Sequence, residues 1–183
     1  MPHIDLPEGM PGIRSAMQFR PETAVHLNAL AEELLRADNS LPRGDRELIA
    51  AYVSSCNKTV FCEHSHSAFA AAQLDGGIDL VEQVKSDPDK APIEPKLRAL
   101  LHIAGKVTVD GKTVTSSDIE AARVEGATDV EIHDTVLIAA AFCMYNRYVD
   151  GLDTWQPTDP QAYRERAHLL VEQGYVGSVP VSG

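Results

Sequence analysis

Arg46–Ala70 reads RELIAAYVSSCNKTVFCEHSHSAFA. Its first half places Leu48, Ile49, Ala50, Ala51, Tyr52 and Val53 around every side of a helix, which predicts deep burial rather than a surface helix. Pro42-Arg43-Gly44-Asp45 ahead of it is a turn, with Asp45 as the expected N-cap. The chain then breaks at Asn57, and Asn57 or Thr59 caps a second helix running to about Leu74, before Gly76-Gly77. On that second helix Cys62 and His66 are four residues apart and share a face. A thiol attacks only as thiolate, and a helix N-terminus or a neighbouring histidine lowers its pKa from ~8.5 to somewhere near 3.5–7.5. At this spacing the imidazole reaches the sulfur directly or through one water. Glu47, one helix upstream, sits in a first turn where the dipole favours any carboxylate. In a helix that is apolar all round, it is also expected to be buried.

The rest of the chain is helical by the same signals. Pro21-Glu22-Thr23 opens an amphipathic segment carrying Val25, Leu27, Leu30, Ala31, Leu34 and Leu35 and ending near Asp38-Asn39. A short helix is expected from Asp79 to Val84. Another starts at Glu94-Pro95 and runs through Leu97, Leu100, Leu101 and Ile103, with proline at its favoured first position. Ser117–Glu120 and Thr128–Glu131 read as capping boxes, the second opening a long buried helix to about Tyr148 that Asp150-Gly151 stops. Asp159-Pro160 begins a last helix, Gln161 to Glu172, closed by Gly174. One segment differs: Val107–Thr115, VTVDGKTVT, alternates and carries Asp-Gly, which reads as a loop or small ribbon. The expectation is an all-α single domain over residues 1–183, of about seven to eight helices. Its core spans about 21–175, with arms in the first dozen residues and from Val176 to Gly183.

Composition narrows the function classes. Within 183 residues, 44% hydrophobic and 23% charged are ordinary for a soluble globular protein. A formal charge of −11 argues against nucleic-acid and anionic-membrane partners, which need a basic surface. The longest apolar run, Val136–Tyr145, is too short to span a bilayer, and the first residues lack the basic and apolar regions of a secretory signal. Three cysteines, Cys56, Cys62 and Cys143, suggest free thiols in a reducing compartment, so a cytoplasmic location is expected.

Each polar candidate also has a plain reading. A free cysteine is most often a small packed hydrophobe, which suits Cys143 in its apolar helix. His64 points to roughly the opposite face from His66. Cys62, His64 and His66 lack the spacing and the second cluster that zinc requires, so no metal and no cofactor is expected. Thr59 reads as an N-cap whose hydroxyl accepts the Cys62 N–H, or as a hydrogen-bond donor to the sulfur. His102 and His133 read as core or interface histidines that alternatively line a pocket. Asn146, Arg147 and Asp150 read as a structural polar network or a subunit contact.

These residues carry a family resemblance. Arg46–Ala50, Val53-Ser54, Asn57, Phe61-Cys62 and His66, with Lys96–Ala104, Thr128–Glu131 and Phe142–Leu152, resemble the alkylhydroperoxidase-D and carboxymuconolactone decarboxylase superfamily, most closely its peroxidase-related branch. The resemblance covers roughly residues 21–175. It implies an all-α fold assembling into homo-oligomers, whether dimers, trimers or hexamers. In peroxidase members a Glu precedes the first cysteine of CxxC by twelve residues, and a His follows the second by four. By carry-over, Cys62 matches the peroxide-attacking cysteine, and His66 with Glu47 matches the proton relay. Thr59 stands where the resolving, reductant-facing cysteine belongs, a departure that prevents the family's internal disulfide. Cys56, six residues before Cys62, reads first as a small buried residue at a helix end and alternatively as a replacement resolving thiol.

The expected function is therefore reduction of a hydroperoxide through one reactive cysteine, Cys62, regenerated by an external thiol or by Cys56. Two other readings stand beside it. One is a redox-inactive or peroxide-sensing oligomer that binds a small ligand. The other is a cofactorless decarboxylase or lyase in which His66 and Glu47 move protons and the cysteine is incidental.

Overall fold

The computed structural model describes residues 1–176, in which nine α-helices follow one another. They are α1 (Ile13–Phe19), α2 (Pro21–Arg36), α3 (Arg43–Cys56), α4 (Val60–Ala71), α5 (Gly77–Ser86), α6 (Pro95–Val109), α7 (Ser116–Val124), α8 (Asp129–Gly151) and α9 (Pro160–Gln173). Between α6 and α7 a single 3₁₀ turn spans Gly111–Thr113. There is no β-strand among the described residues. The expected C-terminal arm falls largely on residues 177–183, which lie outside the described residues.

Helices α3 and α8 form the centre. Leu48, Ile49, Ala50, Ala51 and Val53 of α3 are completely inaccessible to solvent, as are Ile138 and Ala139 of α8. Each fully buried Leu, Ile or Val side chain contributes roughly 1.5–3 kcal/mol, so α3 holds its place by packing rather than by helix propensity. Helix α4 lies along α3, and α6 closes against both α3 and α8. Helix α9 packs on α4, and α1 and α2 also touch α8. The α3–α4 connection is only Asn57-Lys58-Thr59, with Lys58 in the left-handed region at φ 60°. That tight corner sets His66 of α4 against Glu47 of α3.

Helix ends differ from the sequence reading in instructive ways. Helix α3 starts two residues before Asp45, behind Pro42, so Asp45 lies in its first turn rather than at its cap. The Thr128–Glu131 capping box forms as expected, but the box at α7 pairs Thr115 with Asp118, not Ser117 with Glu120. The Val107–Thr115 ribbon does not form. Val107 packs on the core, so α6 continues to Val109, and Asp110 then accepts the Lys112 N–H to close the 3₁₀ turn.

The first dozen residues are not a loose arm. The Gly12 N–H donates to Trp155 O at 2.7 Å, and the His3 N–H to Leu152 O at 3.0 Å. Gly12 has φ 58°, and a Cβ there would come within 2.2 Å of the Phe61 ring. Only glycine lets the N-terminal segment approach α4 so closely. Helix α1 follows at once, presenting Ser15, Ala16 and Met17 to the interior.

Candidate active site

The tight corner and the burial of α3 bring Glu47 and His66 into direct contact. His66 Nδ1 lies 2.7 Å from Glu47 Oε2, and the Glu47 side chain is 1% exposed. A carboxylate so thoroughly removed from water must be held by donors. The second oxygen, Oε1, accepts the Tyr175 hydroxyl at 2.6 Å. Tyr175 also stacks on the His66 ring, at 15° and 6.3 Å between centroids, with its oxygen 3.5 Å from Nδ1. Burial and the Glu47 carboxylate together hold the Tyr175 phenol well above its ordinary pKa, so it stays a donor. With the carboxylate accepting from both sides, the proton of the neutral imidazole resides on Nδ1 and Nε2 is left basic. Phe142 and Phe69 pack edge-on against the ring and fix its plane.

Tyr175 reaches this position because α9 ends at Gly174. Gly174 has φ 74°, and a Cβ there would meet Glu32 Oε2 at 2.5 Å. The turned chain lets the Tyr175 N–H donate to Glu32 Oε2 at 2.6 Å, while Arg36 bonds Glu32 and the Leu170 and Val171 carbonyls.

Cys62 occupies the same cavity with different neighbours. Its thiol is buried, and no hydrogen bond joins it to His66. Burial pushes its pKa up to about 12; Asn146 opposes the shift by hydrogen bonding, and the Asp150 charge adds to it. Asn146 is itself fixed by Asn57 Nδ2 at 2.8 Å and Ser54 Oγ at 3.1 Å. Thr59 stands at the N-cap of α4, but its hydroxyl does not cap the helix; it donates to Asp150 Oδ2 at 2.5 Å. Asn146 and Asp150 thus form a polar network beside the thiol, and Arg147 turns back to the Cys143 carbonyl.

The cavity that Cys62, His66 and Tyr175 line has a volume of about 470 Å³. Its walls come from α1, α2, α4, α8, α9 and the segment at Pro7 and Met10, and are mostly apolar. Arg14 of α1 and Arg166 of α9 also face it.

The other candidates lie elsewhere. Cys56 is exposed at the end of α3, where its thiol interacts with the Tyr52 hydroxyl and feels the charges of Cys143 and Glu63. Cys143 accepts a hydrogen bond from Asn57 Nδ2 at 3.4 Å and is only partly buried. His133 is exposed on α8 beside Asp134, and His102 is exposed beside Asp89; neither lines the cavity. His64, on the outer face of α4, packs edge-on against Tyr163 over a separate groove. Among the described residues no group of three or more His, Cys, Asp or Glu is placed to hold a metal ion. No described helix is long and apolar enough to cross a membrane.

Sequence reasoning located Glu47, Cys62 and His66 but not Tyr175, Arg14 or Arg166. Gly174 signals a helix end, yet nothing local says that the next side chain turns inward onto α3.

Comparison with known proteins agrees with this architecture. The model of the carboxymuconolactone decarboxylase family matches residues 21–76, from the start of α2 to the glycine before α5. Among solved structures, the chain is similar to the alkylhydroperoxidase AhpD core of an uncharacterized peroxidase-related protein from Ralstonia eutropha JMP134. The two are 28% identical, with a TM-score of 0.76 over 85% of this chain and 80% of that one. It is also similar to an uncharacterized peroxidase-related protein from Silicibacter sp. TM1040, 25% identical, with a TM-score of 0.78 over 89% of this chain and 94% of that one. No curated protein matches the sequence.

Proposed function

The chain belongs to the alkylhydroperoxidase-D-like carboxymuconolactone decarboxylase superfamily, on its peroxidase-related branch, and from that premise we propose that it reduces hydroperoxides through Cys62. The observation that carries this reading is the buried Glu47–His66 hydrogen bond in the cavity that also holds the Cys62 sulfur. At rest the thiol is neutral, because burial disfavours its thiolate. Turnover then requires a base, and His66, which lines the same cavity and keeps Nε2 outside its bond to Glu47, is the group to supply it.

The step balances as follows. The Cys62 proton passes to His66, directly or through a water, and Glu47 stabilises the resulting imidazolium. The thiolate attacks one peroxide oxygen, forming an S–O bond as the O–O bond breaks. The leaving oxygen takes the proton from His66 and departs as an alcohol, or as water from hydrogen peroxide. Sulfur is oxidised by two electrons to sulfenic acid, and the peroxide is reduced by two. An external thiol then attacks the sulfenic sulfur, releasing water and leaving a mixed disulfide. A second thiol displaces Cys62 and carries the disulfide away. Thr59 has no sulfur to offer and its hydroxyl is engaged by Asp150, while Cys56 is exposed and engaged by Tyr52. The reductant is therefore external.

The test is sulfenic-acid trapping with a dione reagent after stoichiometric hydrogen peroxide or an organic hydroperoxide, mapped by mass spectrometry. Fast labelling confined to Cys62 is expected, and it should be lost in Glu47→Gln and His66→Ala. If Cys62 reacts no faster than Cys56 or Cys143, the peroxidase reading fails. A second reading then takes its place, a cofactorless decarboxylase or lyase in which His66 and Glu47 move protons on the substrate. It is favoured by the same burial that keeps Cys62 a thiol.

A further inference from the structure

Arginines in this protein are tied down. Arg20, Arg36 and Arg123 pair with Glu22, Glu32 and Asp129, and Arg46 and Arg98 bond backbone carbonyls. Arg43, Arg147 and Arg164 bond the Arg36 and Cys143 carbonyls and the Gln161 side chain. Arg14 differs. It is half-buried on α1, it lines the cavity that holds Cys62 and His66, and no hydrogen bond or ion pair engages it among the described residues. Burial lowers its pKa, and no neighbouring carboxylate raises it again. Arg166, from α9, lines the same cavity and feels the Arg14 charge.

Surface arginines commonly lay their stems on apolar side chains and leave their heads in water. Here two arginines from different helices line one mostly apolar cavity in a chain of formal charge −11. The surrounding field repels anions in general, so a cationic lining singles out an anion that also brings apolar surface to bury. The planar guanidinium fork matches a carboxylate, and the walls of Ile13, Met17, Leu27, Phe142 and Leu170 suit an aliphatic or aryl body. A cavity of about 470 Å³ is of the size that takes a small organic ligand.

We propose that this cavity takes a carboxylate-bearing hydroperoxide, its carboxylate on Arg14 with Arg166 alongside and its apolar body against the walls. The ligand class follows from the cavity, while its hydroperoxide group rests on the peroxidase reading of Cys62.

Decanoate, 1-decanol and decylamine, none of which is redox-active, separate the two by calorimetric titration into wild-type protein, Arg14→Gln and Arg14→Lys. Decanoate should bind wild type tighter than decanol by about tenfold or more, the worth of one charge-assisted pair. Arg14→Gln should erase that preference while leaving decanol unchanged, and Arg14→Lys should restore part of it. Equal binding of acid and alcohol, tighter binding of the amine, a preference that survives Arg14→Gln, or no binding of any probe would overturn the proposal. A kinetic arm compares hydroperoxydecanoic acid with decyl hydroperoxide, reading kcat/KM for Cys62 oxidation; the acid should lose its advantage in Arg14→Gln. Preserved decanoate preference with no sulfenylation of Cys62 would leave the ligand class standing and remove the peroxidase reading.

Discussion

The two ends of the candidate site are built to different standards. At the proton end, Glu47, His66 and Tyr175 form a closed set in which both carboxylate oxygens are satisfied and the ring is clamped by two phenylalanines. At the sulfur end, Cys62 has an amide for a neighbour, a carboxylate whose charge disfavours ionisation, and no described cation at hydrogen-bond distance. The lesson is that, on the proposed reading, the thiol is not activated by its own surroundings. A pre-ionised cysteine would need a cation or helix terminus tuned to it. Here the proposed base belongs to a set, Glu47, His66 and Tyr175, that stands fully assembled without the sulfur.

Removing the proposed base should have the largest effect. His66→Ala is expected to slow Cys62 oxidation by about 10²- to 10⁴-fold, the range of a lost general base, in competition against a reference peroxidase. A smaller loss would mean that the sulfur end activates itself, and the contrast between the two ends would collapse. Tyr175→Phe tests the support behind the base. It leaves Glu47 Oε1 without its donor, so stability should fall by about 1–3 kcal/mol in urea melts and the oxidation rate by several-fold. Gly174→Ala should follow in the same direction, since its φ of 74° and the Glu32 contact both resist a Cβ.

The sulfur end has a pH signature. The folded thiol titrates near 12, against an ordinary value of 9.0. A group whose folded pKa is raised contributes stability that is complete below the unfolded value and lost as pH rises through the folded one. Wild type should therefore lose stability between about pH 9 and 12 more steeply than Cys62→Ser. Subtracting the two melts removes the shared titration of Tyr52 and Tyr145, whose pKa values also lie near 12. The smallest effect is expected from Asp150→Asn. Asp150 is exposed and only adds to a shift that burial dominates. Alkylation of Cys62 near pH 9 should quicken by no more than a few-fold, because a surface charge is screened. A larger gain would show that charge rather than burial holds the thiol neutral.

The parts legible in the sequence were those encoded locally. The all-round apolar pattern of α3 fixed its burial, and the four-residue spacing of Cys62 and His66 fixed their shared face. The resemblance tied Glu47 to both. Helix α1 was missed because Ile13–Phe19 has no polar N-cap and starts from a positive-φ glycine. Its place depends on Gly12 meeting Phe61, forty-nine residues away in sequence. The Asp-Gly at Asp110-Gly111 gave a hairpin signal that Val107 packing overrode. Thr59 carried a cap signal that Asp150, ninety-one residues on, redirected. Tyr175 and Arg14 carried no signal, since what matters about each is the cavity they enter. Local patterns predict elements, whereas the finished site also depends on contacts that only the whole fold creates.

The buried carboxylate of Glu47 has a consequence for how substitutions would be tolerated. Losing either of its partners strands a charge away from water, so Glu47, His66 and Tyr175 are bound to one another by folding whether or not any peroxide is ever turned over. Cys62, small and neutral, is under no such obligation. A saturation library sorted for soluble expression alone should purge most changes at residues 47, 66 and 175 while admitting Ser, Ala or Val at 62. Sorted instead for survival under an organic hydroperoxide, it should purge residue 62 as well. Position 62 is thus where selection for chemistry separates from selection for the fold.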